Sequence, residues 1–354
     1  MKALVLAGGK GTRLRPLTHT MAKQLVPVAN RPVLHYVMQH LADVGIIEVG
    51  VVISPETGHQ IREALDDNPW SLTFTYILQD QPRGLAQAVQ VAQPFLGDDS
   101  FVMYLGDNLL GQGIADLVRS FAEARADAAI LLKEVENPQA FGVAQVDAEG
   151  KVLTLVEKPQ HPQSNLALVG AYVFSPAIHA AIGRIQPSWR GELEITDAIR
   201  SLLEEGRPIR SSLLKGWWLD TGKKDDLLEA NRIVLDEFTT REIAGDVDSE
   251  SKIHGRVVIE AGARIRNSTI RGPVVVGRDT QIEGSFIGPF TSIGHGCRIT
   301  DTVVEHSVLL DEAQVIAVPR LEDCIIGRKS IVRKSETQHV ALRLMIGDDS
   351  EVIL

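Results

Sequence analysis

Residues 6–16 read Leu6-Ala7-Gly8-Gly9-Lys10-Gly11-Thr12-Arg13-Leu14-Arg15-Pro16, a loop with three glycines and three cationic side chains. Glycines let backbone N–H groups approach phosphate oxygens closely, and neighbouring Lys and Arg offset phosphate charge. The loop is not a Walker A motif, which ends in Gly-Lys-Ser/Thr; here Gly11 follows Lys10. Nor is it the dinucleotide fingerprint, because Leu14 stands where the third glycine belongs. It reads as a phosphate loop of another kind, with a plain glycine turn as the alternative.

Ala22-Lys23-Gln24-Leu25-Val26-Pro27 places a lysine close behind this loop. Leu105-Gly106-Asp107-Asn108 and Trp218-Leu219-Asp220-Thr221-Gly222 each place an acid at the end of an apolar run. Taken singly, Lys23 is an ordinary solvated lysine and each Asp a cap or turn residue. Taken together, two carboxylates at strand ends facing a phosphate loop have the chemistry to share one hard cation. Mg²⁺ prefers a few carboxylates, completed by waters and substrate phosphates.

Such groups need a frame to hold them. Residues 2–7 form a short apolar run that stops at Gly8-Gly9, which predicts a buried strand running into a loop. Strands are likewise expected at 46–53, 72–78, 100–105 and 128–132, and helices at 32–44, 59–65, 84–95 and 114–125. The first helix carries Val33, Val37, Leu41 and Val44 on one face, with Gly45 placed as a C-cap. Continuous apolar strands alternating with helices predict an α/β fold, a mostly parallel sheet covered on both faces. Ligands of such sheets sit outside the carboxyl ends of the strands, where Gly8-Gly9 and Asp107 fall.

The last third has another period. After a helix at 224–237, the charged stretch 242–252 reads as a linker. Aliphatic residues then recur in steps of six: Ile253, Ile259, Ile265; Ile270, Val276, Ile282; Ile287, Ile293, Ile299; and Val304, Leu310, Ile316. The sets start seventeen residues apart, and Leu321 continues the spacing. With Gly262, Gly272, Gly277, Gly288 and Gly294 between them, this is the hexapeptide pattern of a parallel β-helix of four coils. The alternative is ordinary antiparallel strands with glycine turns.

The motifs GGKGTRLRP, AKQLVP, LGDN, EKP at 157–159, RGELEITD at 190–197 and WLDTG occur in this order. In them the chain resembles the sugar-1-phosphate nucleotidylyltransferases over essentially its whole length. RGELEITD, with Gln79-x-x-x-x-Gly84-Leu85-Ala86-Gln87-Ala88, is similar to the long-form glucose-1-phosphate thymidylyltransferases, whose C-terminal part is a left-handed β-helix. The resemblance implies a Rossmann-like catalytic domain, dTTP and glucose 1-phosphate as substrates, and Mg²⁺ held by Asp107 and Asp220. It implies that Leu6, Gly8, Gly9 and Gly11 contact the nucleotide, the glycines through backbone amides, and that Thr12 and Arg13 bind the triphosphate. Lys23, with Arg13, would stabilise charge on the α-phosphate and the departing pyrophosphate. Gln79 would pair with the edge of the thymine beside Gly84. Gly142, Glu157 and Gly170 would line the glucose, and Lys158 and Arg190 would grip its phosphate. Each has a plainer alternative; Arg190, for example, has Glu192 two residues away as an ion-pair partner. One departure stands out: Phe141 replaces the Tyr usual before the glycine in related short forms, which removes a hydroxyl from the sugar pocket.

Composition bounds the rest. A chain of 354 residues, 44% hydrophobic, is large enough for two domains, expected at 1–240 and 241–354. The apolar run 3–7 is too short for the core of a secretory signal, and two cysteines do not make a disulfide scaffold, so a cytoplasmic protein is expected. A net charge of -10 argues against unspecific nucleic-acid coating but not against a small phosphorylated ligand. No apolar stretch is long enough to span a membrane. For the β-helix, assembly of a homo-oligomer is favoured over binding a regulator or an acyltransferase site at His295 and His306. The same reaction with UTP, another nucleotide or another sugar phosphate stays open as an alternative. A non-catalytic regulatory homologue does too, although Arg13, Lys23, Asp107 and Asp220 are all present.

Overall fold

The structure is a computed structural model that describes residues 1–148, 150–221 and 223–334. Gly222 of the WLDTG motif and residues 335–354 of the expected C-terminal domain lie outside the described residues. The chain divides into two compact units. The first comprises Met1–Lys10, Met21–Leu25 and Val33–Asp220; the second comprises Gly11–Thr20, Val26–Pro32 and the chain from Thr221 onward.

In a strand, successive side chains point to opposite faces. Lys2–Leu6 accordingly sends Ala3 and Val5 into one core, and Leu4 and Leu6 into another, with both layers fully covered. The first core lies under Val33–Asp43, Gly58–Ala64 and Ala115–Ala124; the second lies under Leu85–Val91, Ala177–Ile182 and Ile195–Glu204. The sheet has nine strands. Lys2–Leu6 runs parallel between Phe101–Leu105 and Glu48–Ile53, and Thr73–Leu78 is parallel beyond that. Further strands make the sheet mixed. Leu166–Phe174 is antiparallel to Phe101–Leu105, Ala128–Glu134 and Gly142–Val146. Gly142–Val146 and Val152–Glu157 form a hairpin, whose short loop permits only antiparallel pairing. The helix expected at 84–95 is two helices, Leu85–Val91 and Gln93–Leu96. Pro94 accounts for the break, since it lacks an N–H and is tolerated only in a first turn.

In the second unit the strands stack as three parallel sheets, the sides of a left-handed β-helix. The stack is longer than four coils. The charged stretch 242–252, expected as a linker, already carries Glu242–Ile243 and Asp246–Val247, which pair with Val257–Ile259 and Arg264–Arg266. Its charges face outward while Val247 packs on the core. At the other end, Arg320–Glu322, Ile325–Ile326 and Ile331–Arg333 continue the three sides. The fourth set also differs from expectation. Leu309 pairs with Ile293, and Val315 with Ile299, so the inward residues are Leu309 and Val315 rather than Leu310 and Ile316. One residue is missing at the corner after Val304, and a shift of one residue reverses which side chains face the core.

A hydroxyl ladder lines one corner. Ser251, Ser268 and Ser285 each accept, on Oγ, the backbone N–H of the residue seventeen further on: Ser268, Ser285 and Thr302. Ser268 and Ser285 in turn donate to the carbonyls of Arg266 and Glu283. This meets the polar requirement of buried backbone at a bend where no strand partner is available.

Helix Lys224–Phe238 packs on the coil side Thr291–Ile293. Its Asn231, fully buried, accepts from the Ala29 N–H and the Ser292 hydroxyl and donates to the Phe290 carbonyl. Removing one partner of a buried hydrogen bond leaves the others unmet, at about 1–3 kcal/mol per group. Asn231→Ala is therefore expected to destabilise the protein by about 2–3 kcal/mol in denaturant unfolding.

Candidate active site

In the first unit the strand ends converge. Asp107 follows Phe101–Leu105 through Gly106, whose N–H donates to the Leu6 carbonyl at 3.0 Å. Asp220 ends Trp218–Asp220, a strand antiparallel to Asn108–Leu110, in register with Asn108. The two acids are thus held side by side by backbone pairing. Lys23, on a short 3₁₀ turn and only 7% exposed, puts its ammonium between them. Nζ is hydrogen-bonded to Asp107 Oδ2 and lies 3.4 Å from Asp220 Oδ1. Burial by itself lowers the Lys23 pKa, but the two carboxylates outweigh it and hold the ammonium above the ordinary lysine range. Lys23 is a fixed cation rather than a solvated surface lysine.

Asn108, 3% exposed, braces this group. It donates Nδ2 to Asp107 Oδ1 at 3.0 Å and accepts the Trp218 indole N–H at 2.6 Å. Gly170 makes the space: a Cβ there would lie 2.6 Å from Asn108 Oδ1. Phe141 stacks at a tilt on Trp218, with ring centroids 5.0 Å apart, so the ring fills a place in which a Tyr hydroxyl is absent.

A second cluster surrounds the start of the glycine loop. Gln79, 8% exposed, follows Thr73–Leu78 and donates Nε2 to Gln87 Oε1. Gly8 lies beside it. Gly84 caps Leu85–Val91 with φ 105°, and a Cβ there would run into the Leu193 carbonyl at 2.3 Å, so glycine is required on both counts. Gln24 is 2% exposed, with Nε2 near Gly9 and no hydrogen-bond partner for Oε1 among the described residues.

The third cluster is acidic and basic together. Glu157 stands in register with Gly142 across the hairpin and accepts from Thr196 Oγ1 at 3.2 Å. Burial raises its pKa, and the nearby Glu194 carboxylate adds to the shift; Lys158, Thr196 and Arg190 oppose it. Lys158 Nζ lies 3.9 Å from Glu157 Oε1. The Arg190 guanidinium reaches Glu157 at 3.8 Å, Glu194 at 3.2 Å and Glu192 at 2.8 Å. Its pairing with Glu192, the plainer reading, is real, and it coexists with a position beside Glu157.

The structure therefore groups Lys23, Asp107, Asp220 and Gly170; Gly8, Gly9, Gln79 and Gly84; and Gly142, Glu157, Lys158 and Arg190. Leu6 is 8% exposed and joins the first group through its carbonyl. Gly11, Thr12 and Arg13 belong to the second unit. There Gly11, at φ 61°, opens a 3₁₀ turn over Thr12–Leu14, and its carbonyl accepts the Thr18 hydroxyl. Sequence reasoning gave no role to Gln24, Asn108, Gln87, Glu194 or Thr196. All five sit inside the quoted motifs; burial distinguishes Gln24, Asn108, Glu194 and Thr196, and the half-buried Gln87 is distinguished by its bond to Gln79.

Family profiles divide the chain at residue 237 rather than between Asp220 and Thr221. The nucleotidyl transferase family profile matches residues 2–237, and a GlmU-like C-terminal hexapeptide profile matches residues 237–326. A glucose-1-phosphate thymidylyltransferase of Streptomyces antibioticus is 51% identical over 99% of this chain and 99% of its own. One of Streptomyces griseus is 49% identical over 99% and 98%. A solved Bacillus anthracis structure, described as a glucose-1-phosphate thymidylyltransferase in complex with sucrose, aligns with TM-score 0.62 at 34% identity, over 66% of this chain and 94% of that one. With its buried lysine between two strand-end acids and its hexapeptide extension, the chain belongs to the nucleotidyl transferase family.

Proposed function

We propose that the chain transfers a thymidylyl group from dTTP to glucose 1-phosphate, releasing pyrophosphate and forming dTDP-glucose. The observation that carries this reading is the Lys23 ammonium held between Asp107 and Asp220; the names of the full-length relatives supply the substrates. A phosphate oxygen of the sugar attacks the α-phosphorus of the nucleotide, and pyrophosphate leaves in line. No covalent protein nucleophile is needed, and catalysis is positioning plus charge stabilisation.

The residues divide this work. Gly8, Gly9 and Gly11 present backbone N–H groups to the nucleotide near Leu6, and Thr12 and Arg13 take the triphosphate. Lys23, with Arg13, stabilises the charge gathering on the α-phosphate and on the leaving pyrophosphate. Gln79 and Gly84 receive the thymine. Gly142, Glu157 and Gly170 line the glucose, Glu157 accepting a sugar hydroxyl, and Lys158 and Arg190 grip its phosphate. Asp107 and Asp220 would hold Mg²⁺, since both carboxylates converge on one point beside the Lys23 ammonium and a hard cation prefers a few carboxylates completed by waters and phosphates. Mg²⁺ bound there would offset the repulsion between the two polyanions. Residues 1–240 are assigned to this catalysis and 241–354 to a β-helix that assembles a cytoplasmic homo-oligomer.

The deciding experiment is a matrix of nucleoside triphosphates, including UTP, against sugar 1-phosphates, with pyrophosphate release measured. The highest kcat/KM is expected for dTTP with glucose 1-phosphate, and a clear preference for another pair overturns the reading. Asp107→Asn is expected to lower turnover roughly 10²-fold or more with the fold intact by circular dichroism, and saturating Mg²⁺ should not restore it. Lys23→Gln should lower kcat by a similar factor while the KM for glucose 1-phosphate changes little. Glu157 protonates at higher pH than an ordinary glutamate, so acidification should raise the KM for the sugar phosphate earlier than a free carboxylate would. Glu157→Gln should show a higher KM at neutral pH without that extra pH dependence; the comparison cancels the titration of the substrate itself.

A further inference from the structure

The Gln79 amide lies against a second side-chain amide. Its Nε2 donates to Gln87 Oε1, on the third residue of helix Leu85–Val91. Its Oε1 is thereby turned toward the glycine loop, where a Cβ on Gly8 would sit 3.4 Å from it. A glutamine side chain presents either an acceptor or a donor at a given place, depending on which way its amide lies. In this arrangement Gln87 meets the Gln79 amide with its acceptor, so the two amides are set as a pair.

We infer that Gln87 is a positioning residue that determines which nucleobase the site accepts, by holding Gln79 with its carbonyl oxygen toward the base. This rests on the thymidylyl reading and deepens it. A carbonyl oxygen there accepts from the ring N–H of a pyrimidine imide such as thymine or uracil. Cytosine carries a bare acceptor nitrogen at the same ring position, and two acceptors face to face leave both unpaired. A site built around one hydrogen-bond polarity rejects the wrong partner strongly, because a buried polar group is then left unmet. The two pyrimidines match in ring size and differ in fit only by the thymine methyl, whose effect cancels when the dTTP:dCTP ratio is compared between variants.

The test compares kcat/KM for dTTP and dCTP in the full-length protein and in three Gln87 variants. Gln87→Glu offers only acceptors, keeps Gln79 as it stands and should retain the preference for dTTP. Gln87→Lys offers only donors, turns the Gln79 oxygen toward itself and should lower the dTTP:dCTP ratio roughly ten- to a hundredfold. Gln87→Ala releases the amide and should fall between them. Circular dichroism checks that each variant is folded, and the alanine variant remains decisive if the lysine one is not. If all variants that turn over keep the wild-type ratio, or if dTTP and dCTP rates fall equally in all of them, Gln87 merely supports the loop and the inference is overturned. A wild type that does not prefer dTTP would instead overturn the thymidylyl reading, which the same measurement shows separately.

Discussion

A buried ammonium shared by two carboxylates organises the first unit. A lysine so enclosed is unfavourable unless paired, and each acid alone would face the other's charge at close range. Lys23, Asp107 and Asp220 therefore stabilise one another, and each depends on a different stretch of chain arriving at the same place. The sheet supplies that convergence. Parallel strands end on one edge, so the groups that follow Lys2–Leu6 and Phe101–Leu105 emerge together. The short ladder of Trp218–Asp220 with Asn108–Leu110 then carries the second acid in from over a hundred residues away. Asn108 and Trp218 complete the arrangement by fixing the carboxylate from behind, which leaves its other oxygen for the ammonium.

The same economy of polarity runs through the second unit in a different form. Each coil is too small to enclose a core alone, and stacking closes the aliphatic interior. The bends between sides are then the weak points, because backbone turns there leave N–H groups without strand partners. Hydroxyls at seventeen-residue intervals meet those groups, and Asn231 does so for the helix that covers one side.

Much of this was legible in the residues. The glycine loop, the strand-end acids and the order of the motifs pointed to a candidate site, because phosphate chemistry demands unusual residue types in a fixed order. The six-residue period located the β-helix, because an interior filled from three sides repeats by geometry. What escaped has a common cause. Gln24, Asn108 and Thr196 are ordinary polar residues whose importance comes from burial, and burial is a property of packing that no local pattern carries. The first coil escaped because its strands are two residues long and flanked by charges facing outward. The fourth set was displaced because a missing corner residue shifts register without disturbing the count of seventeen. The antiparallel strands of the first sheet follow from loop lengths rather than from the hydrophobic run of any one strand.

That shifted corner makes the coils non-equivalent as building blocks. Ile253, Ile270, Ile287, Val304 and Leu321 recur at one interval, so a whole coil is the natural unit of lengthening or shortening. Up to Val304 the short step falls at one corner of the triangle; after it, at the next. Excising seventeen residues between two early coils joins like to like. The same excision with both ends on the side of Ile293 and Leu309, which lie sixteen residues apart, leaves that side one residue out of register. A deletion or insertion of one coil therefore stays in register when it begins and ends on the side that keeps the seventeen-residue interval.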